Sequence, residues 1–202
     1  MSKEMAMVGA LVVVCCSFVS GATAMLISGG DDTKSPGPSS TGPAPPSGPP
    51  KGRYVKLEQT VVSYPNSTED ECTKNAIINL AEVQVFDASN TNLASGKTVT
   101  GTAIHPAGPL ANLVDGNMSN FAHTACPIPT NTEKDYMTID LGAEKEIKKI
   151  VITNRTDCCK DRAIGIKAVI LAANGTTVVK ETPAITTTAD TYTLTFPGNT
   201  WS

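Results

Sequence analysis

The chain has 202 residues, with 16 Lys and Arg side chains against 19 Asp and Glu side chains, so its net charge is −3. A nucleic-acid-binding protein usually carries a basic patch or stripe, often interleaved with aromatic residues. No such pattern occurs in this sequence. We therefore predict no nucleic-acid partner.

The N-terminal segment, residues 5–28, has no charged side chain and is mostly apolar. About 20 apolar residues are enough to cross a bilayer. A cleaved signal peptide is the alternative, because Ala22-Thr23-Ala24 resembles a cleavage site, but Lys3 beside Glu4 makes a poor basic n-region. We predict a retained transmembrane helix within residues 1–28 that contacts the membrane through residues 5–28. The sequence leaves its orientation open.

Residues 29–52 are rich in Pro, Gly and Ser. Such a segment builds no core and favours extended, polyproline-type conformations. We predict a tether that holds the following domain away from the membrane.

Residues 53–202 are numerous enough for one globular domain with its own core. The cysteines in this part are Cys72, Cys126, Cys158 and Cys159. An even number permits full pairing, but the sequence alone fixes neither the pairing nor the redox compartment.

Short β-rich runs separated by turn residues dominate this part of the chain. Asn174-Gly175 between two runs is a strong hairpin signal. Many short strands at near-regular spacing favour an all-β antiparallel sandwich or barrel. The predicted strands are 53–60, 77–86, 137–141, 147–154, 165–172, 177–182 and 191–196.

Five motifs follow one another along the chain. They read Asn92-Leu93-Ala94-Ser95-Gly96-Lys97-Thr98-Val99, Leu113-Val114-Asp115-Gly116-Asn117, His123-Thr124, Ile139-Asp140-Leu141-Gly142 and Asn154-Arg155-Thr156-Asp157-Cys158-Cys159. Together they resemble the discoidin (coagulation factor 5/8 type C) family and, within it, the F-type, fucose-binding lectins. The resemblance implies a galactose-binding-like, eight-stranded jelly-roll β-sandwich. It also implies calcium near one rim and a sugar or another partner in the rim loops.

The strand order departs from that family. Segments 53–57 and 80–85 resemble the strands that close the family's domain, yet here they come first. We interpret this as a circular permutation, which a domain tolerates when its natural ends lie close together. The interpretation requires Glu82 to lie next to Asp115.

The resemblance implies a calcium site with carboxylates from Glu82 and Asp115. Main-chain oxygens would complete it, and Asn120 stands where the lectins often have Ser. Calcium takes six to eight oxygen ligands of this kind. The alternative is that Asp115-Gly116-Asn117 is simply a tight turn. The implied ligands are Ala81, Glu82, Asn112, Asp115, Asn117 and Asn120.

Residues 154–162 combine two arginines with an aspartate and two adjacent cysteines. Arg155 and Arg162 can donate fixed N–H groups to vicinal hydroxyls, and Asp157 can brace one guanidinium. Cys158 and Cys159, if oxidised to each other, would form a small ring with a flat apolar face. The alternative is a loop held by an Arg–Asp pair with two ordinary thiols.

The resemblance adds His123 to the two arginines as a trio that hydrogen-bonds fucose. The implied sugar-binding residues are His123, Arg155, Asp157, Cys158, Cys159 and Arg162. Two departures could reshape this pocket, namely an insertion at 125–132 and Tyr136-Met137 in place of paired aromatics. His105 receives no role.

No nucleophile elbow, phosphate-binding loop or zinc spacing occurs, so we predict no enzyme. The layout resembles membrane-anchored virion proteins of large icosahedral DNA viruses. It implies a minor capsid component that links an inner membrane to a capsid shell and contacts capsid or other assembly proteins. The alternative is a calcium-dependent lectin for fucosylated glycans, displayed on a cell surface or in a lumen.

Overall fold

The computed structural model describes residues 48–60, 77–125 and 134–202. The predicted transmembrane helix and the tether as far as residue 47 lie outside these residues, as do Cys72 and Cys126. Within the described ranges, no helix has the length and apolarity needed to span a bilayer.

Nine strands form two antiparallel sheets in the described part of the chain. The strands are β1 (Lys51–Gln59), β2 (Asn79–Phe86), β3 (Thr98–Gly101), β4 (Ala122–His123), β5 (Tyr136–Glu146), β6 (Lys149–Asn154), β7 (Ile166–Leu171), β8 (Val178–Glu181) and β9 (Thr191–Thr195). Two short 3-10 helices, η1 (Leu110–Val114) and η2 (Lys160–Ala163), lie in the connections. The predicted all-β sandwich is confirmed, with one strand more than the resemblance implied.

The five-stranded sheet has the order β3-β5-β1-β7-β8, and the four-stranded sheet has the order β4-β2-β6-β9. Val55 and Leu57 of β1 pack in one core with Val83 and Val85 of β2, which belong to the other sheet. Alternate residues of a strand point to opposite faces, so each strand presents one apolar row to this core. Full burial of each such side chain stabilises the fold by about 1.5–3 kcal/mol.

The two opening strands occupy interior positions. Strand β1 lies between β5 and β7, and β2 lies between β4 and β6. The segments that resemble the family's closing strands therefore complete both sheets from the N-terminal side. Strand β1 also begins two residues earlier than predicted, and Ile147 N donates to Pro50 O at 2.9 Å.

Strand β2 is less regular than its sequence indicates. Strict alternation would place Leu80 and Val83 on opposite faces of the strand, but both are in the core. The pairing of β2 with β6 shifts register between Leu80 and Glu82. This irregularity has the effect of a β-bulge, which re-aims side chains and is frequent beside functional sites.

The predicted hairpin between β7 and β8 is confirmed. These strands pair antiparallel, and Gly175 N donates to Ala172 O at 3.0 Å within the turn. Gly175 has φ of +72°, a left-handed conformation that glycine adopts readily.

Candidate functional site

Glu82 lies beside the turn that follows η1. Its Oε2 accepts a hydrogen bond of 3.2 Å from Gly116 N. Asp115 is close enough for its negative charge to raise the pKa of Glu82. The structure therefore brings Glu82 and Asp115 together, as the permutation requires.

Glu82 is 1% exposed, and its Oε1 has no hydrogen-bond partner in the described part of the chain. Burial, with a smaller contribution from Asp115, raises the pKa of Glu82 to about 7. Burial disfavours the charged form of a carboxyl group, and a neighbouring negative charge adds to this effect. Glu82 thus lacks a positive partner among the described residues.

The turn that begins at Asp115 supplies further oxygens. Asp115 Oδ1 accepts from Asn117 N at 2.8 Å, and Asp115 Oδ2 accepts from Asn120 Nδ2 at 2.7 Å. The second of these bonds orients Asn120, whose Oδ1 is buried and has no partner within residues 48–60, 77–125 and 134–202. Two buried acceptor oxygens without donors fit a hard cation, which binds oxygen and needs no hydrogen.

The other implied calcium ligands contribute differently. Asn112 Nδ2 donates to Phe121 O at 3.0 Å, and Asn117 Oδ1 accepts from Ser119 N at 3.0 Å. Ala81 is buried within β2. No group of three or more His, Cys, Asp or Glu side chains gathers anywhere in the described ranges. A cation here would therefore take two carboxylates together with amide and main-chain oxygens.

A basic cluster lies on β4 and on the loop after β6. His123 ends β4, Arg155 follows β6, and Arg162 lies in η2. Arg162 Nη1 is 3.4 Å from His123 Nε2, and His123 Nδ1 hydrogen-bonds Thr124 O. A carbonyl only accepts, so Nδ1 carries the proton and Nε2 is an acceptor.

His123 is neutral at physiological pH. Burial, and then the nearby His105, Arg162 and Arg155, lower the pKa of His123 to about 4. A neutral imidazole with Nδ1 protonated offers its Nε2 lone pair to a hydroxyl hydrogen.

Arg155 is held rigidly. Its Nε and Nη2 donate to the two carboxylate oxygens of Asp157 at 2.9 and 2.5 Å, and its guanidinium carbon lies 3.6 Å from the centroid of the Phe121 ring. Hydrogen bonding from Arg155 lowers the pKa of Asp157 to about 2. A bidentate pair fixes the plane of the guanidinium. The predicted bracing by Asp157 is thus present in the structure.

A disulfide joins the adjacent residues Cys158 and Cys159. Cys159 adopts a left-handed conformation with φ of +63° and directly precedes η2, which carries Arg162. The ring therefore lies between the two arginines along the chain.

Sequence reasoning missed three residues around His123. The His105 ring lies 4.8 Å from the His123 ring, and His105 N donates to His123 O at 3.0 Å. A Cβ on Gly108 would lie 2.5 Å from His123 Cβ, so only glycine fits there without a shift. Phe121 could have been found from its position two residues before His123, since such residues share a strand face. No local pattern places the 105–108 turn against β4.

The two sequence departures have different outcomes. Most of the 125–132 insertion lies outside the described residues, so its effect stays a prediction. Met137 is buried in the core, while Lys56 Nζ lies 4.7 Å from the centroid of the Tyr136 ring. Tyr136 and Met137 therefore lie in β5, and the contact between Tyr136 and Lys56 joins β5 to its neighbour β1 in the five-stranded sheet.

Residues 112–201 match the family model for the F5/F8 type C, NedA-like, galactose-binding domain. This range contains β4 to β9 and leaves out β1, β2 and β3. This match and the all-β sandwich support a discoidin-like domain in the folded part of the chain.

The chain is similar to fucolectins of eels. It is 35% identical over 80 residues to fucolectin-1 of Anguilla japonica, covering 37% of this chain and 45% of that protein. It is 38% identical over 69 residues to fucolectin of Anguilla anguilla, covering 32% and 44%. The chain thus spans less than half the length of these relatives. No solved structure matches significantly.

Proposed function

We propose that the domain is a non-enzymatic module that binds fucose-containing glycans at the rim formed by His123, Arg155 and Arg162. The observation that carries this proposal is a neutral histidine acceptor beside two guanidinium donors, one of them fixed by Asp157. The names of the similar eel proteins support the choice of fucose.

The geometry suits vicinal hydroxyl groups. Each hydroxyl donates one hydrogen and accepts others. His123 Nε2 takes a hydroxyl hydrogen, while the guanidinium groups donate to hydroxyl oxygens. The Cys158–Cys159 ring offers an apolar surface for the sugar carbons.

The same proposal includes a calcium ion bound beside the rim. Bound by Glu82, Asp115 and Asn120, with main-chain oxygens from Ala81, Asn112 and Asn117, it would neutralise the buried carboxylate. Asn112 also holds Phe121 O through its side chain, and Phe121 packs against Arg155. A cation bound at the Asp115 turn would therefore stabilise the rim through Asn112 and Phe121.

Arg155→Ala tests the sugar site by calorimetric titration with L-fucose. The matched control is Arg53→Ala, because Arg53 makes an equivalent bidentate pair with Asp140 at 2.8 Å for both bonds. Hydrogen bonds to charged groups contribute about 1.5–3 kcal/mol each. We expect Arg155→Ala to abolish measurable binding and Arg53→Ala to retain it. Equal affinity of both variants would contradict the proposal.

The membrane anchor and tether would let many weak sites act together, since displayed copies gain avidity. This placement, and the capsid-linking role, rest on residues outside the described ranges and stay predictions. Crosslinking of residues 29–52 to a second polypeptide in the native assembly would support the capsid role. A tether free of such contacts would count against it.

A further inference from the structure

The side chain of Asn79 is fully buried, and neither its Oδ1 nor its Nδ2 has a hydrogen-bond partner among the described residues. An unsatisfied buried polar group is costly, and native proteins keep few of them. An apolar residue would suit this position better if packing alone mattered. The amide therefore calls for a functional explanation.

The strand register places Asn79 within the basic rim. Asn79 pairs with His123 across β2 and β4, and the next residue, Leu80, pairs with Asn154 across β2 and β6. Arg155 follows Asn154 at the same end of the sheet. Strand β2 thus lies between the strand that carries His123 and the strand that leads into Arg155.

The pleat also sets the face on which Asn79 lies. Leu80 and Ala122 belong to the core. Their neighbours Asn79 and His123 form the adjacent cross-strand pair, so both lie on the opposite face of the sheet. Asn79 therefore shares its face with the histidine proposed to bind sugar.

We propose that Asn79 is a specificity-determining residue whose amide hydrogen-bonds a hydroxyl of the bound sugar. This inference rests on the proposed function. His123 Nε2 can only accept, and Arg155 and Arg162 can only donate, whereas an amide does both. A sugar hydroxyl also does both, so Asn79 matches one hydroxyl completely.

The Asn79 side chain is fully buried, so a ligand reaches its amide only when a covering group moves. The contact between Arg162 Nη1 and His123 Nε2 is 3.4 Å, which is long for a hydrogen bond. A ligand hydroxyl that takes over His123 Nε2 replaces this weak contact. In the proposed complex, a hydroxyl of the same ligand gives the amide of Asn79 its missing partner.

The variant Asn79→Leu separates this role from a merely structural one. It keeps approximate size and removes the buried amide, so the melting temperature should not fall. Affinity for L-fucose in calcium should fall by about tenfold, the loss expected for one hydrogen bond. Gln84→Leu is the matched control, because Gln84 lies further along β2, opposite Val151 and away from the rim. This control should bind like the unmodified protein.

The outcomes separate the two proposals. If the unmodified protein binds L-fucose and Asn79→Leu binds it equally well, the role of Asn79 is wrong and the proposed function stands. If the unmodified protein does not bind L-fucose, the proposed function fails, and this inference fails with it.

A second measurement needs no variant to fold. The side-chain amide signals of Asn79 can be followed by NMR in the unmodified protein during titration with L-fucose. We expect them to shift in step with occupancy. Unchanged Asn79 signals at saturation, while other signals report binding, would overturn the inference.

Discussion

Two regions, the turn at Asp115 beside Glu82 and the rim around His123, differ in how far each is complete without a ligand. At the Asp115 turn, Glu82 Oε1 and Asn120 Oδ1 are buried acceptors without donors among the described residues. At the rim, Arg155 already has a bidentate carboxylate, and His123 is neutral. Among the described residues, no positive charge balances Glu82 in the first region, whereas the second region has Arg155 already oriented by Asp157.

This difference assigns separate tasks to the two regions. A buried carboxylate without a counter-charge destabilises the fold until a cation arrives or a proton binds. A rim with fixed donors loses little conformational entropy when it binds a ligand. We therefore expect the Asp115 turn with Glu82 to control the stability of the fold, and the rim to control the affinity for sugar.

The largest effect is expected from Glu82→Gln. Burial raises the pKa of folded Glu82 from 4.5 to about 7, so the protonated form stabilises the fold. That contribution is fully present below pH 4.5 and is lost as the pH rises through about 7. Glutamine mimics the protonated form. In chelator at pH 8, the variant should therefore be more stable than the unmodified protein by roughly 3 kcal/mol.

Chemical denaturation with and without calcium measures this effect. Calcium should stabilise the unmodified protein, because a ligand of the native state alone adds stability by mass action. It should have no effect on Glu82→Gln. A variant that is less stable than the unmodified protein in chelator would show that Glu82 has a cationic partner other than calcium.

The next effect concerns the support of His123. In Gly108→Ala, the new Cβ would lie 2.5 Å from His123 Cβ and 2.8 Å from His123 N. Overpacking of this kind costs about 1–3 kcal/mol, and the shift of β4 should weaken sugar binding as well. Thermal unfolding and L-fucose titration measure both. Gly48→Ala is the control, since no described residue lies within 4 Å of the position that its Cβ would take. If both variants behaved alike, the turn would not position His123.

A smaller effect is expected from Asp157→Asn. The side chain of Asp157 is 60% exposed, and exposed ion pairs contribute only about 0–1 kcal/mol to stability. The melting temperature should hardly change. Affinity for L-fucose should still fall several-fold, because Arg155 loses the partner that fixes its plane. A large loss of stability with unchanged affinity would reverse the roles that we assign.

The smallest effect concerns pH. The pKa of His123 is lowered from 6.5 to about 4, so His123 stays neutral across the ordinary titration range of histidine. With calcium saturating, affinity for L-fucose should show no step near pH 6.5 and should fall only near pH 4. The stability contributed by neutral His123 is present above pH 6.5 and is lost as the pH falls towards 4. A clear step in affinity at 6.5 would mean that His123 is solvated.

The fold could be predicted from the sequence wherever local pattern decides it. Short β-rich runs identified β1, β6 and β9, and Asn174-Gly175 identified the β7–β8 turn. The irregularity in β2 could not be predicted, because its cause is pairing with β6 rather than local propensity. The short strands β3 and β4 were missed for a related reason, since four and two residues carry little periodic signal.

At the candidate site too, local motifs identified some residues, and only contacts between distant segments reveal the others. Family motifs brought His123, Arg155 and Arg162 to attention, and the structure places them together. Local reading gave no role to His105 or Asn79, because their importance comes from contacts between distant segments. Asn79 reads as an ordinary strand residue until its register with His123 and its burial are known.

The most direct test of the central claim is a calorimetric titration of the unmodified protein with L-fucose, in calcium and in chelator. We expect saturable binding in calcium and a much reduced affinity in chelator. No binding of L-fucose in either buffer would contradict the proposed function. Equal affinity in both buffers would show that the Asp115 turn with Glu82 does not support the rim.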